Sequence, residues 1–405
     1  MAKNIGIDLG FGFVKATNGE KDIIFPSVVG AGQDLTYRSE LTTYVEPIEN
    51  LAVTIDGKKY FVGDLAVRQS EIVSRSLGEN HAQDKNTRVL LLATLALFVR
   101  GESDEFNVVT GLPPSYYLAY KDSLAEMIKG SHTIMLNTDG TDRKKNIIVH
   151  QVRIIPQPMG TMFNSIFDAR GNLEDKELAR NKVGISDVGF RTTDFTVVDK
   201  LEYIDKQSYS TTTGMSNAYA IVADYLRNKY RIYKENFELD EIVQKAQIKV
   251  AGKVESLEQI KKDAYEQVSA KILTEMNSIW DQRDLDIILL SGGGGKALAD
   301  HILPELIAPN QLVESSQTAN VHGYLKLAHK LFGLTVVPDN RPKFGNGNAA
   351  ETGASAAGSG EAAATEATAG AEQSNSNAQA QPQQQSTPSR FANNRFFEDR
   401  KDRRA

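Results

Sequence analysis

The sequence predicts an α/β protein made of two related lobes, and three glycine-bearing stretches predict it. In Asn4-Ile5-Gly6-Ile7-Asp8-Leu9-Gly10-Phe11-Gly12, apolar Ile5, Ile7 and Leu9 alternate with Gly6 and Asp8. That is the pattern of a buried strand delivering a carboxylate to its C-terminal end. Gly10 and Gly12 bracket a turn, after which Phe13-Val14-Lys15-Ala16-Thr17 resumes as strand. The design returns when the run from Val183 reaches Asp187-Val188-Gly189 and passes through Phe190-Arg191-Thr192-Thr193-Asp194 into a second apolar strand. The third stretch, Ile287-Ile288-Leu289-Leu290-Ser291 followed by Gly292 to Gly295 and Lys296, reads as buried strand, glycine turn and helix.

Glycine tips let the backbone take positive φ and bring N–H groups against an anion. Lys15 then serves as a point charge, and Asp8 stands where it can hold a metal through water. An ordinary tight β-turn explains one such tip equally well. Two of them, each led by an aspartate after an apolar run, suggest an internal duplication with nucleotide phosphates clamped between the halves.

Composition bounds the rest. A chain of 405 residues that is 40% hydrophobic can fill two sizeable cores. A formal net charge of -6 gives no global basic field for nucleic acid. The absence of cysteine removes disulfides, thiolate nucleophiles and cysteine-based zinc sites, and a reducing cytosol is the expected compartment. The first residues lack the unbroken apolar core of an export signal. The longest apolar run, Val89 to Val99, is broken by Thr94 and falls short of the ~20 residues that cross a bilayer, so it reads as a buried helix. His322 and His329 could share a helix face, for which a structural role is the simpler reading.

Taken in order, Asp22 to Ser27 extends the first hairpin into a meander. Residues from about 33 to 86 read as a subdomain inserted into the first lobe, with a hairpin turning at Asp56-Gly57. A helix from Lys85 to Val99, a strand from Glu105 to Thr110, a helix from Tyr116 to Lys129 and an extended run from Lys145 to Ile155 complete lobe I, residues 1–158. Ile155-Pro156-Gln157-Pro158-Met159 then turns strand into helix and opens lobe II, residues 159–334. Tyr203 to Tyr209 reads as strand, and the loop from Thr211 to Asn217 opens a helix over 218–230. Gly214 in that loop either approaches a nucleotide with the free N–H groups of the helix start or only caps it. Helical spacing over 239–251 and 256–279 suggests a helical accessory subdomain at about 231–283. Its Lys245 and Lys249 either reach a ribose or form a solvated face.

Asn320-Val321-His322-Gly323 is read as a hinge segment in which Gly323 allows close helix packing. Gly333 to Pro338 reads as a strand that returns, with residues 335–344, to lobe I. Residues 345–405 are rich in Ala, Gly, Ser, Asn and Gln with few large apolar side chains, the composition of a disordered tail. Its last stretch, Arg390 to Arg404, carries three phenylalanines among basic residues and suggests a docking motif for an adaptor protein, nucleic acid or an anionic membrane.

The order Asp-x-Gly, Asp-x-Gly, strand-Gly-Gly-Gly resembles the actin, heat-shock chaperone and sugar-kinase ATPase superfamily over roughly residues 1 to 340. Within it, Asp8-Leu9-Gly10-Phe11-Gly12 with Lys15, and Asp187 to Asp194, look most like the bacterial plasmid-segregation actins of the ParM/StbA type and their archaeal relatives. The resemblance implies an actin-like duplicated two-lobe ATPase fold with accessory subdomains. It implies a cytoplasmic ATPase that polymerises with nucleotide bound and disassembles after hydrolysis, in plasmid segregation or intracellular positioning, with other copies of itself as partners. The ligands implied are ATP, with GTP an alternative, and Mg2+. Asp8 and Asp187 would hold Mg2+ through water. Gly10, Phe11, Gly12, Gly189, Thr192 and Thr193 would line the phosphates with Lys15, Gly214 would border the cleft, and Gly292, Gly293 and Gly294 would pass close to adenosine. Gln157 matches the position that orients the attacking water; an amide hydrogen-bonds a water but is no strong base. Phe11 departs from the hydroxyl or amide residue that many members carry, so only its N–H can serve. The rivals are a phosphotransferase of the same fold, with Asp194 or another acid as base, and a scaffold that closes on nucleotide without hydrolysing it.

Overall fold

Two hairpins of the same design seed two sheets. The computed structural model describes residues 2–34, 46–71, 73–75 and 84–334, all within one compact unit. The proposed return strand beyond Leu334, residues 335–344 and the tail from 345 lie outside the described residues.

Lobe I contains β1 (Lys3–Leu9), β2 (Phe13–Thr17), β3 (Asp22–Pro26), β4 (Val28–Ala31), β5 (Ala52–Ile55), β6 (Lys58–Val62), α1 (Asp64–Gln69) and β7 (Val73–Arg75). It continues through α2 (Lys85–Ala96), β8 (Ser103–Leu112), α3 (Pro114–Ile128), β9 (Gly130–Asn137) and β10 (Arg143–Pro156), after which α4 (Met159–Ile166) leads into lobe II. The ten strands of lobe I lie in the order β3-β2-β1-β8-β10-β9-β5-β6-β4-β7, so β5 joins the strands of the inserted region edge-on to β9. The β9 strand has no counterpart in the sequence reading. In Gly130–Asn137 only Ile134 and Leu136 are buried, and two apolar positions are too few to announce a strand.

Lobe II contains β11 (Lys182–Val188), β12 (Thr193–Asp199), β13 (Glu202–Tyr203), β14 (Tyr209–Thr211), α5 (Met215–Tyr230), α6 (Asp240–Lys245), β15 (Gln247–Val250) and β16 (Lys253–Ser256). Then come α7 (Glu258–Ile279), β17 (Ile287–Ser291), α8 (Gly292–Ile302), β18 (Asn310–Leu312) and α9 (Ala319–Phe332). The sheet runs β13-β12-β11-β17-β18, with β14 also on β12. The duplication is visible in pairing. β1 is antiparallel to β2 and parallel to β8, as β11 is antiparallel to β12 and parallel to β17.

Two expected elements differ. The strand expected over 203–209 is split into β13 and β14 by a single 3-10 turn at Asp205–Gln207. The helix expected over 239–251 stops at Lys245, because Ala246 takes a left-handed conformation (φ 47°) and the chain enters a β-hairpin. That hairpin turns at Ala251 and Gly252, both at positive φ. Alanine is uncommon there, so the turn had no sequence signal.

Each lobe has its own apolar core, and a third cluster joins them: Val109, Ile155, Met159 and Met162 meet Val183, Ile185, Leu289 and Tyr324. Through it α4 and α9 cross at backbone distance. A Cβ on Gly323 would lie 1.8 Å from the Gly160 carbonyl oxygen, a contact only glycine permits. Beyond α9, the Gly333 carbonyl accepts from Asn4 Nδ2 of β1 (2.6 Å), which ties the last described turn back to lobe I.

Candidate functional site

Parallel pairing aims β1 and β8 one way and β11 and β17 another, and the carboxyl ends of both sets open on one cleft, where ligands of open α/β sheets bind. The cavity there measures about 510 Å3, within the range of small-molecule sites. Asp8, Gly10, Phe11, Gly12 and Lys15 line it from the first hairpin; Asp187, Gly189, Phe190, Thr192 and Asp194 line it from the second. Gln157 lines it from the end of β10, and Gly292, Gly293, Gly294 and Lys296 from the start of α8. The first turn of an eleven-residue helix therefore faces the cavity with its unpaired N–H groups.

The polar groups are interlocked. Lys15 sits opposite Asp8 in the β1–β2 register and its Nζ lies 3.0 Å from Asp8 Oδ2. Burial pulls the lysine pKa down, but the charges of Asp8 and Asp187 and the Asp8 hydrogen bond together outweigh it and hold it above the ordinary value. Gln157 Nε2 donates to Asp8 Oδ1 (2.8 Å). A carboxylate accepts only, so the amide nitrogen must face Asp8, leaving Oε1 as the acceptor end. The Gln157 main-chain carbonyl accepts from the buried Tyr324 hydroxyl (3.2 Å).

Asp187 is held from the hinge. Asn320 Nδ2 donates to Asp187 Oδ2 (2.5 Å), while Asn320 Oδ1 accepts from the Thr161 N–H (3.0 Å) and hydroxyl (2.8 Å). Burial is the largest influence on the Asp187 carboxyl, raising its pKa; Lys15 lowers it, Asp8 raises it and the Asn320 bond lowers it, for a net value of about 6. Asp194 stands opposite Asp187 on β12, and burial raises its pKa to about 8, against the opposing Ser210 hydrogen bond and with help from the charges of Asp187 and Asp8. Its Oδ1 is buried and has no hydrogen-bond partner among the described residues.

Two expected residues, Thr193 and Gly214, fall elsewhere, while Lys245 and Lys249 take the solvated alternative. Thr193 does not line the cavity, because it begins β12 facing inward and its hydroxyl donates to the Thr213 carbonyl (2.8 Å). Gly214 lies beneath the second hairpin turn, where a Cβ would come within 2.7 Å of the Phe190 carbonyl oxygen, and it serves as the N-cap of α5. Lys245 pairs with Glu241 (2.5 Å) on the surface of α6, and neither it nor Lys249 lines the cavity; the neighbouring Gln244 does. The sequence reading missed Asn320 and Thr161, whose roles depend on a helix crossing of distant segments. It also missed the wall formed by Tyr219, Gln244, Tyr265 and Gln317, which come from four separate elements.

Lobes, hinge helices and paired aspartate-tipped hairpins together define an actin-like architecture, and the chain belongs to the actin-like proteins. The family model for the N-terminal domain of actin-like proteins matches residues 6–160, and that for the C-terminal domain of archaeal MreB-like actin homologues matches residues 185–303. Among solved structures, a 15-stranded ParM filament from Clostridium botulinum is 27% identical, with 82% of this chain and 100% of that chain covered and a TM-score of 0.69. The archaeal actin homologue Ta0583 in complex with ADP is 19% identical, with 82% and 100% covered and a TM-score of 0.66. The actin-like protein Alp7A is 16% identical, with 81% and 96% covered and a TM-score of 0.64. The last two show likeness of fold. No curated protein matches the chain.

Proposed function

We propose that the chain binds Mg2+ and ATP in the cleft, polymerises with nucleotide bound and hydrolyses it to regulate polymer dynamics, in plasmid segregation or intracellular positioning. The observation that carries this reading is that Asp8 and Asp187 line one cavity, each oriented by an amide: Gln157 for Asp8, Asn320 for Asp187. The filament of the C. botulinum ParM and the ADP held by the archaeal homologue support it.

The donor set fits Mg2+. Among the described residues no three or more His, Cys, Asp or Glu side chains are grouped as metal ligands. Mg2+ usually takes only one or two carboxylates and fills its shell with water and phosphate oxygens, which suits two aspartates acting through water. Bound there, it would neutralise charge on the β- and γ-phosphates. The chain's own groups do the rest. N–H groups of the two glycine turns and of the α8 start receive phosphate oxygens, Lys15 supplies a cation, and Gln157 Oε1 accepts a hydrogen bond from the attacking water and aims it.

A phosphotransferase needs a carboxylate to take a hydroxyl proton. Gln157 has none, and Asp194 with a pKa of about 8 already carries a proton at neutral pH. Both weigh against that reading. The tail segment Arg390 to Arg404 is proposed to dock an adaptor. Sedimentation and electron microscopy with and without ATP test the whole: an ATP-dependent pellet of filaments is expected, whereas turnover without any pellet would leave a soluble enzyme.

A further inference from the structure

Phe11 and Arg191 occupy the tips of the two hairpins, one in each lobe, and they touch. The Arg191 guanidinium carbon lies 5.4 Å from the centre of the Phe11 ring, within cation–π range. Phe11 lines the cavity, while Arg191 is exposed and stands off its wall. Beside this pair the Gly12 backbone meets the Phe190 side chain. A Cβ added to Gly12 would fall 2.7 Å from Phe190 Cβ, so the tips approach this closely because position 12 carries no side chain. Phe190 is braced from behind by Tyr219 of α5, edge to face with ring centres 5.2 Å apart. The tip of the first hairpin thus presents an aromatic ring that grips a cation of the opposite lobe.

We propose that Phe11 and Arg191 form a latch between the lobes that closes the phosphate end of the cleft and sets how fast ADP and phosphate leave. The proposal rests on the cleft's being a nucleotide site. Opening the lobes separates the hairpin tips and breaks the pair, so release carries the cost of the contact, while phosphate contacts made by backbone N–H groups are left in place. Arg191 and Phe11 act here as positioning residues, through closure.

The test is a double-mutant cycle read by stopped-flow release of a fluorescent ADP analogue and by phosphate release after single-turnover ATP cleavage. F11L removes the π face and keeps the N–H and much of the bulk; R191A removes the cation. Each is expected to speed release roughly 2- to 30-fold, which corresponds to about 0.5–2 kcal/mol at about 1.4 kcal/mol per factor of ten. The double variant should release no faster than the faster single one. F11Y, which restores a ring face, should return release toward the parent rate. Thermal melts confirm that each variant is folded. Equal effects of R191A with Phe11 and with Leu at position 11, or release unchanged in both single variants, would overturn the latch. A parent chain that holds no ADP at all would instead overturn the nucleotide reading beneath it.

Discussion

Asp194 faces Asp187 directly across the second hairpin, in the place where the first hairpin sets Lys15 across from Asp8. One hairpin therefore presents an ion pair and the other two acids. Burial opposes ionisation of both acids, and at Asp194 the charges of Asp187 and Asp8 add to it. Asp194 has the higher pKa, about 8, and Asp187 about 6.

The first consequence concerns stability without ligand. Both folded pKa values lie above the unfolded aspartate value of 3.8, so the folded chain binds more protons than the unfolded chain between 3.8 and about 8. Stability contributed by the protonated forms is present in full below 3.8 and is lost as pH rises through about 6 and then about 8. D194N keeps the shape and removes the charge. It should raise the melting temperature at pH 8.5 by an amount equivalent to a few kcal/mol and flatten the fall between pH 6 and 8.5. Calorimetry of the ligand-free protein at several pH values checks this; an unchanged slope would mean that Asp194 ionises freely.

Binding should carry the complementary dependence. On the proposed reading Mg2+ would require the ionised Asp187, so below a pKa of about 6 each complex would first have to expel a proton. The apparent Kd for Mg·ATP should rise about tenfold per pH unit below that point and level off above it. Titration calorimetry from pH 5 to 8 measures this. D187N should bind more weakly at every pH and lose the dependence.

How much of this was legible in the sequence follows from where each signal lies. Asp8, Asp187 and the Gly292 turn were readable because strand, carboxylate and glycine are consecutive residues and local pattern fixes their geometry. Gln157 came from the resemblance and not from local pattern: the sequence alone shows only a polar residue between two prolines at the end of β10. Asn320 was read only as hinge. Its role requires α9 to cross α4 beneath β11, a relation between residues more than a hundred positions apart. The β15–β16 hairpin was hidden by helical apolar spacing, and only a positive φ at Ala246 reveals the break. The raised pKa of Asp194 was invisible for the same reason as the Asn320 contact, since burial arises from packing that no short motif encodes.

Asn320 gives a test that separates orientation from folding. N320A deletes a hydrogen bond to a carboxylate, worth about 1.5–3 kcal/mol, and strands the Thr161 N–H that shared its oxygen, while the Thr161 hydroxyl keeps its bond to the Ser291 hydroxyl (2.7 Å). Some loss of thermal stability is expected from either effect. The Asn320 bond also lowers the Asp187 pKa, so its removal should move the midpoint of the Mg·ATP binding profile above pH 6. A uniform loss of affinity with an unmoved midpoint would mean that Asn320 only supports the hinge.

Gln157 decides whether an amide is sufficient for hydrolysis. Its Nε2 is committed to Asp8 at 2.8 Å and only Oε1 can address a water, so Q157A should weaken Mg·ATP binding modestly, through the loosened Asp8 carboxylate, and slow cleavage about 100-fold, the loss expected of a mispositioned nucleophile. Q157E offers a stronger base by chemistry, yet in the same rotamer it sets a second carboxylate oxygen against Asp8 where an N–H donor stood. The like charges raise the pKa of the pair, and the glutamate must hold a proton to keep that contact. Cleavage by Q157E should therefore stay below that of the parent at pH 7 and climb with pH as the proton is lost. Single-turnover rates from pH 6 to 9 measure the profile. A Q157E chain faster than the parent at neutral pH would show that the site lacks a base, and that positioning by the amide was not the limiting contribution.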